Sequence, residues 1–101
     1  MCIRDSNYPN PFIDETWFSV EHNRPDRTMR VVLTIYTMTG EMVRIIDREL
    51  FSPGYRLEPV QWDGTTEGGQ KLGGGVYLYN VKLRTEEGEV ASDGGKLIIT
   101  R

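Results

Sequence analysis

The chain has 101 residues, 15 of them acidic and 12 basic, with a net charge of -3, one cysteine and one histidine. That length bounds it to one small domain with a single core, and 38% hydrophobic with 10% aromatic content is the composition of a folded chain, not a disordered one. The acidic balance argues against nucleic acid or anionic lipid as a partner, and one thiol with one histidine builds neither an internal disulfide nor a structural zinc site.

No run approaches the eighteen apolar residues of a membrane-spanning helix, so membrane insertion is not expected. The N-terminus lacks the basic-then-apolar pattern of a signal peptide, so export would depend on an upstream segment. Residues 1–6, MCIRDS, match neither the period nor the turn chemistry of the remaining chain. They resemble a translated sequencing-adapter scar and are read as a non-native N-terminus outside the fold, Cys2 with them. The domain is expected over residues 7–101, as the tail of a longer protein.

In NYPNPF, Asn7 to Phe12, Pro9 and Pro11 fix φ and hold Tyr8 and Asn10 extended. The segment reads as a stiff entry turn that tucks Phe12, with Tyr8 a second candidate, against the sandwich edge. Thr16 to His22 alternates as a half-buried strand with Phe18 and Val20 inward. The polar turn Asn23 to Thr28 comes next, and Arg24, Arg27 and Arg30 read as a solvated rim.

Met29 to Thr37 carries the strongest strand pattern, apolar on both faces, which predicts a central position with Val31, Leu33 and Ile35 on one side. A turn at Gly40 leads to a hairpin partner over Met42 to Leu50, where Val43 and Ile45 are expected inward and Ile46 to mark a bulge. The Pro-Gly pair of FSPGY predicts a type II turn toward the other sheet. Arg56 to Trp62, interrupted by Pro59, reads as an edge strand with Val60 and Trp62 inward.

The stretch Trp62 to Tyr77, WDGTTEGGQKLGGGVY, is a glycine-rich joint between two strands. Beyond it, Tyr77, Tyr79, Val81 and Leu83 should line the core. Glu86 to Gly88 reads as a hairpin turn, Glu89 to Ala91 as a short strand, Ser92 to Gly95 as a further turn, and Lys96 to Thr100 as a last strand with Leu97 and Ile99 inward. About seven short strands at turn spacing, with no helical period, predict an all-β, immunoglobulin-like antiparallel β-sandwich.

No catalytic constellation is legible: no GxSxG, HExxH, CxxC or Walker pattern occurs, and His22 stands alone. The run Gly73 to Gly75 lacks the lysine and helix of a phosphate cradle. Asp63 and Glu67 suggest a calcium loop, but the position that requires a terminal glutamate is Gly74. Asp63 reads instead as an Asx turn. No catalytic, metal or cofactor site is therefore expected in this segment.

The order NYPNPF, IYTMTGEMV, WDGTTEGGQKLGGGVYLYNVKL and KLIITR resembles the C-terminal sorting domains of type IX secretion in Bacteroidetes and the related immunoglobulin-like domain of flagellar hook-capping proteins. It covers Asn7 to Arg101. WFSVEHNRP and FSPGYR look most like the C-terminal domain of the secretion sortase, a gingipain-related cysteine peptidase. One departure is Thr66, where that loop commonly carries aspartate. Pro9, Asn10, Pro11, Phe12, Gly40, Trp62, Asp63, Gly64, Gly75 and Tyr77 are the positions that match the pattern and read as structural.

The resemblance implies a non-catalytic domain by which an exported parent protein is recognised and directed to, or retained at, the outer membrane and cell surface. Its partners would be proteins of the secretion and attachment machinery, with the parent domains, and any peptidase Cys and His, lying upstream in the same chain. Recognition is expected at the C-terminal strand, Lys96, Leu97, Ile98, Ile99, Thr100 and Arg101, through a sheet edge with backbone groups to pair. The alternatives are an accessory spacer or glycan-binding module of an extracellular enzyme, with Trp17 and Tyr36 as its aromatic platform, and a flagellar hook-cap domain.

Overall fold

Alternation along each strand decides which side chains face inward, and the register between strands shows where that alternation is reset. The computed structural model describes residues 2–100. Its strands are β1 (Ile3–Tyr8), β2 (Thr16–His22), β3 (Arg27–Thr37), β4 (Met42–Ser52), β5 (Val60–Trp62), β6 (Gly75–Thr85) and β7 (Val90–Ile99). They form a three-stranded sheet in the order β1-β2-β5 and a four-stranded sheet in the order β4-β3-β6-β7. All strand pairs are antiparallel. This is the expected all-β sandwich.

The core lies between the sheets. Met29, Val31, Leu33 and Ile35 of β3 sit beside Tyr79, Val81 and Leu83 of β6 and Leu97 and Ile99 of β7, and are covered by Phe18, Val20, Val60 and Trp62 from the smaller sheet. Each such side chain contributes about 1.5–3 kcal/mol when fully buried, so these residues carry most of the driving force. The central place of β3 and its hairpin with β4 are as the pattern predicts.

Several details differ from the sequence reading. Ile3 to Ser6 belong to an edge strand, β1, paired with β2 from Ile3↔His22 to Tyr8↔Trp17. In β4 the inward residue is Ile46, opposite Leu33, whereas Ile45 lies opposite Thr34 and is exposed. The irregularity that sets this parity falls at Ile35/Tyr36, not at Ile46.

Gly54 has no positive φ, so FSPGY redirects the chain without the type II geometry; Ser52 Oγ donates to the Gly54 carbonyl instead, at 2.9 Å. Finally, Ser92 to Gly95 is no turn, for β7 runs unbroken through it. A Cβ at Gly94 would lie 2.6 Å from the Tyr79 carbonyl oxygen, and one at Gly95 would lie 3.0 Å from the Tyr79 hydroxyl. The glycine pair keeps the strand close to Tyr79 of its neighbour.

Candidate functional site

The edge of β7 is the expected recognition element, and the fold places a clamp on it. Asn10 Nδ2 donates to the Lys96 carbonyl at 3.0 Å, and Asn10 Oδ1 accepts from the Ile98 N–H at 3.0 Å. Phe12 continues the pairing as backbone: its N–H donates to the Ile98 carbonyl at 3.0 Å and its carbonyl accepts from the Thr100 N–H at 2.9 Å. A carboxamide has one acceptor and one donor group, so a single asparagine imitates a stretch of strand. The prolines on either side, Pro9 and Pro11, follow cis peptide bonds.

Phe12 is 2% exposed and anchors the clamp in the core. The outward backbone of β7 from Lys96 to Thr100 is therefore already paired, which corrects the expectation that this edge is free for a partner strand.

Of the expected recognition residues, Leu97 and Ile99 are core side chains, while Lys96, Ile98 and Thr100 are exposed. Arg101 lies outside the described residues. Ile98 opposes Val76, and Lys96 opposes Leu78, which in turn opposes Tyr36. These positions share the outer face of the larger sheet, where Val76 is 41% and Ile98 37% exposed. The structure thus brings Lys96 and Ile98 together with a small apolar patch on a face, not along an edge.

The other outer strand of this sheet, β4, is partly sealed in a similar way. Glu67, from the glycine-rich joint, accepts from the Ile45 N–H through its carboxylate and donates its own N–H to the Val43 carbonyl at 3.2 Å. Arg44 Nη1 donates to Thr65 Oγ1 at 3.1 Å and to the Thr66 carbonyl at 3.0 Å. Asp63 accepts from Thr65 Oγ1 at 2.5 Å, and that bond holds its carboxyl below the usual range.

Trp62 Nε1 donates to the Thr65 carbonyl at 3.0 Å, while Tyr77 donates its hydroxyl to the Gly73 carbonyl at 2.8 Å. Gly64 and Gly40 take positive φ of 75° and 91°, a conformation that only glycine adopts without cost. The loop is a joint whose polar groups serve the fold.

His22 and Ser52 form a buried pair, Nε2 to Oγ 2.8 Å. The Arg24 N–H donates to His22 Nδ1 at 3.1 Å, which puts the ring proton on Nε2, pointing to Ser52. Ser52 in turn donates to Gly54. The histidine is thus the donor and the serine hydrogen points away from it, the reverse of a general base with its nucleophile. Arg24, Arg27 and Arg30 each have an acidic partner, Glu89 at 2.9 Å, Glu87 at 3.2 Å and Asp47 at 2.8 Å. Trp17 and Tyr36 lie on different sheets, so they form no common platform.

Sequence reading did not find the capping roles of Asn10 and Glu67. A signal for the first was present: an amide side chain held extended between prolines beside a residue fit for the core. For Glu67 only an acid in the middle of the loop, with Asp63 the loop's other acid, marks the position.

No family model matches the sequence, and no curated protein matches it. Among solved structures, the chain is similar to dimeric latent PorU from Porphyromonas gingivalis, with 29% sequence identity and a TM-score of 0.82 over 99% of this chain and 10% of that one. The chain therefore spans about a tenth of that protein's length. Fold and sequence together relate it to a domain-sized part of PorU.

Proposed function

We propose that this chain is a non-catalytic sorting or attachment domain that directs or retains a parent protein at the type IX secretion machinery and the cell surface. The observation that carries the reading is the end-to-end likeness to one tenth of PorU, which agrees with the motif order read from the sequence. Recognition is assigned to the outer face of β6 and β7 at Val76, Leu78, Lys96 and Ile98. The adjoining edge of β7 is already paired to Asn10 and Phe12. An exposed apolar cluster beside one cation is a docking surface of the ordinary kind, apolar at its centre and polar at its rim.

Deleting Lys96 to Arg101 is a poor test because Leu97 and Ile99 are core residues. A better one fuses residues 1–101, β1 included, to an exported reporter in a Bacteroidetes host with an active type IX system, and compares it with an Ile98→Lys, Val76→Lys variant. Reporter at the cell surface for the parent, and retained in the periplasm for a folded variant, is the expected result. Failure of the parent fusion to reach the surface overturns the sorting reading. Surface delivery of the variant overturns the assigned face alone.

A further inference from the structure

Among the described residues, the β4 edge of the larger sheet has a stretch that no other part of the chain pairs with. Odd-numbered residues of β4 turn their backbone groups outward, as the bonds from Glu67 at Val43 and Ile45 show. The Asp47 carbonyl receives only the guanidinium of its neighbour Arg48, at 3.1 Å. Among the described residues, no hydrogen bond reaches the outward backbone of Glu49 or Phe51. Beside this edge runs a cleft of about 310 Å³, floored by Trp17, Leu50, Pro59 and Val60 and rimmed by Arg48 and Glu58. The cleft lies along the seam between β4 and β5, so an unpaired strand edge and an apolar slot stand side by side.

We infer that the edge from Asp47 to Phe51, with this cleft, takes an extended segment of a partner polypeptide that carries basic side chains on its outer face and apolar ones toward the cleft. Strand addition supplies main-chain bonds along the edge, and alternate pockets supply the choice of sequence. Charge fixes the outer pattern. Asp47 and Glu49 both lie on the outer face, and Arg30, which opposes Glu49 in register, turns its guanidinium to both oxygens of Asp47 instead. Among the described residues Glu49 has no hydrogen bond or ion pair of its own, although Arg30 feels its charge, so its carboxylate is free to bond a basic side chain of an added strand.

A second copy of β4 fits less well. Antiparallel pairing centred on Asp47, Arg48 or Glu49 sets a residue against its own twin, with like charges opposed. This surface lies on the sheet edge opposite to β7, and the inference stands independently of the sorting role.

The test titrates the full chain with an acetylated pentapeptide of alternating lysine and valine, followed by amide chemical shifts, with a glutamate–valine pentapeptide as control. Shifts at Asp47, Glu49 and Phe51 with the lysine peptide alone are expected, with Ile98 unmoved. Glu49→Lys, on an exposed side chain, should weaken that binding about fivefold, the effect of one cross-strand charge pair, and leave core resonances in place. The inference is overturned by no response at those amides or by equal binding of the glutamate peptide. Sedimentation that shows the free chain dimerising, with the Asp47, Glu49 and Phe51 amides shifting as the dimer forms, overturns it in favour of self-pairing.

Discussion

Phe12 meets Trp62 edge to face, with ring centroids 5.7 Å apart and planes at 62°. This single contact joins the two motifs that stand out in the sequence, the proline-rich entry and the WDG loop, across the interior of the sandwich. It also ties the clamp on β7 to the joint that leads into β6. A change at either ring is therefore felt at both ends of the larger sheet.

Trp62 is 1% exposed and fills its site with an aromatic that no neighbour can replace. Trp62→Ala should destabilise the domain by about 3–5 kcal/mol, the usual cost of an aromatic cavity, enough to unfold a marginal domain. Trp62→Phe keeps most of the packing but leaves the Thr65 carbonyl without its indole donor, at about 1–3 kcal/mol. Urea midpoints of the two variants check both values, and a Trp62→Ala protein as stable as the parent would remove Trp62 from the core.

Asn10→Ala removes one donor and one acceptor from the β7 edge while leaving Phe12 in place. About 1 kcal/mol per lost bond is expected, because the site is near solvent and water can replace the amide. The sharper readout is hydrogen exchange. The Ile98 amide should lose protection, while the Leu97 amide should keep its own. Equal loss at both would mean that the whole strand has come free.

Gly94→Ala places a methyl 2.6 Å from the Tyr79 carbonyl, so the backbone of β6 or β7 has to move. A loss of about 1–3 kcal/mol is expected, in the range for overpacking. A thermal melt checks it. A Gly94→Ala domain with an unchanged melting temperature would show that β7 has no need of glycine there.

Burial lowers the pKa of His22 from its ordinary 6.5. The unfolded chain therefore takes up a proton at a pH where the folded chain does not, so stability rises with pH across that window. The contribution is complete above about pH 6.5, declines as pH falls toward the depressed folded value, and declines no further below it. Protonated Nδ1 would also face the Arg24 N–H, donor against donor. Denaturant midpoints of the parent and of His22→Gln, followed from pH 7.5 downward, should diverge above the carboxylate range. Parallel curves would show that His22 does not contribute this slope.

Much of the sandwich is legible in the sequence because burial in a sheet has a period of two. Phe18 and Val20, Val31, Leu33 and Ile35, and Tyr79, Val81 and Leu83 all read inward and all are buried. Reading fails where a neighbour, not the local pattern, decides. Ile45 and Ile46 are equally apolar, and only the register against β3 separates them. The glycines at 94 and 95 have turn composition, yet a tyrosine on the next strand gives them their use.

In the C-terminal strand, alternation makes exposure legible but not backbone pairing. The exposure of Lys96 and Ile98 follows from the period of two, whereas the pairing of their backbone with Asn10 and Phe12 spans 86 to 88 positions of sequence and leaves no periodic trace.

That span also bears on how the domain forms. Phe12 cannot find its backbone partners, nor the larger sheet its sealed edge, until Ile98 and Thr100 have been made and brought into place. Closing so long a loop is slow relative to local hairpin formation, so the pairing of Phe12 with β7 is expected to form after the β3-β4 and β6-β7 hairpins. A chain cut before Ile98 would leave Phe12 without its backbone partners and open to proteolysis.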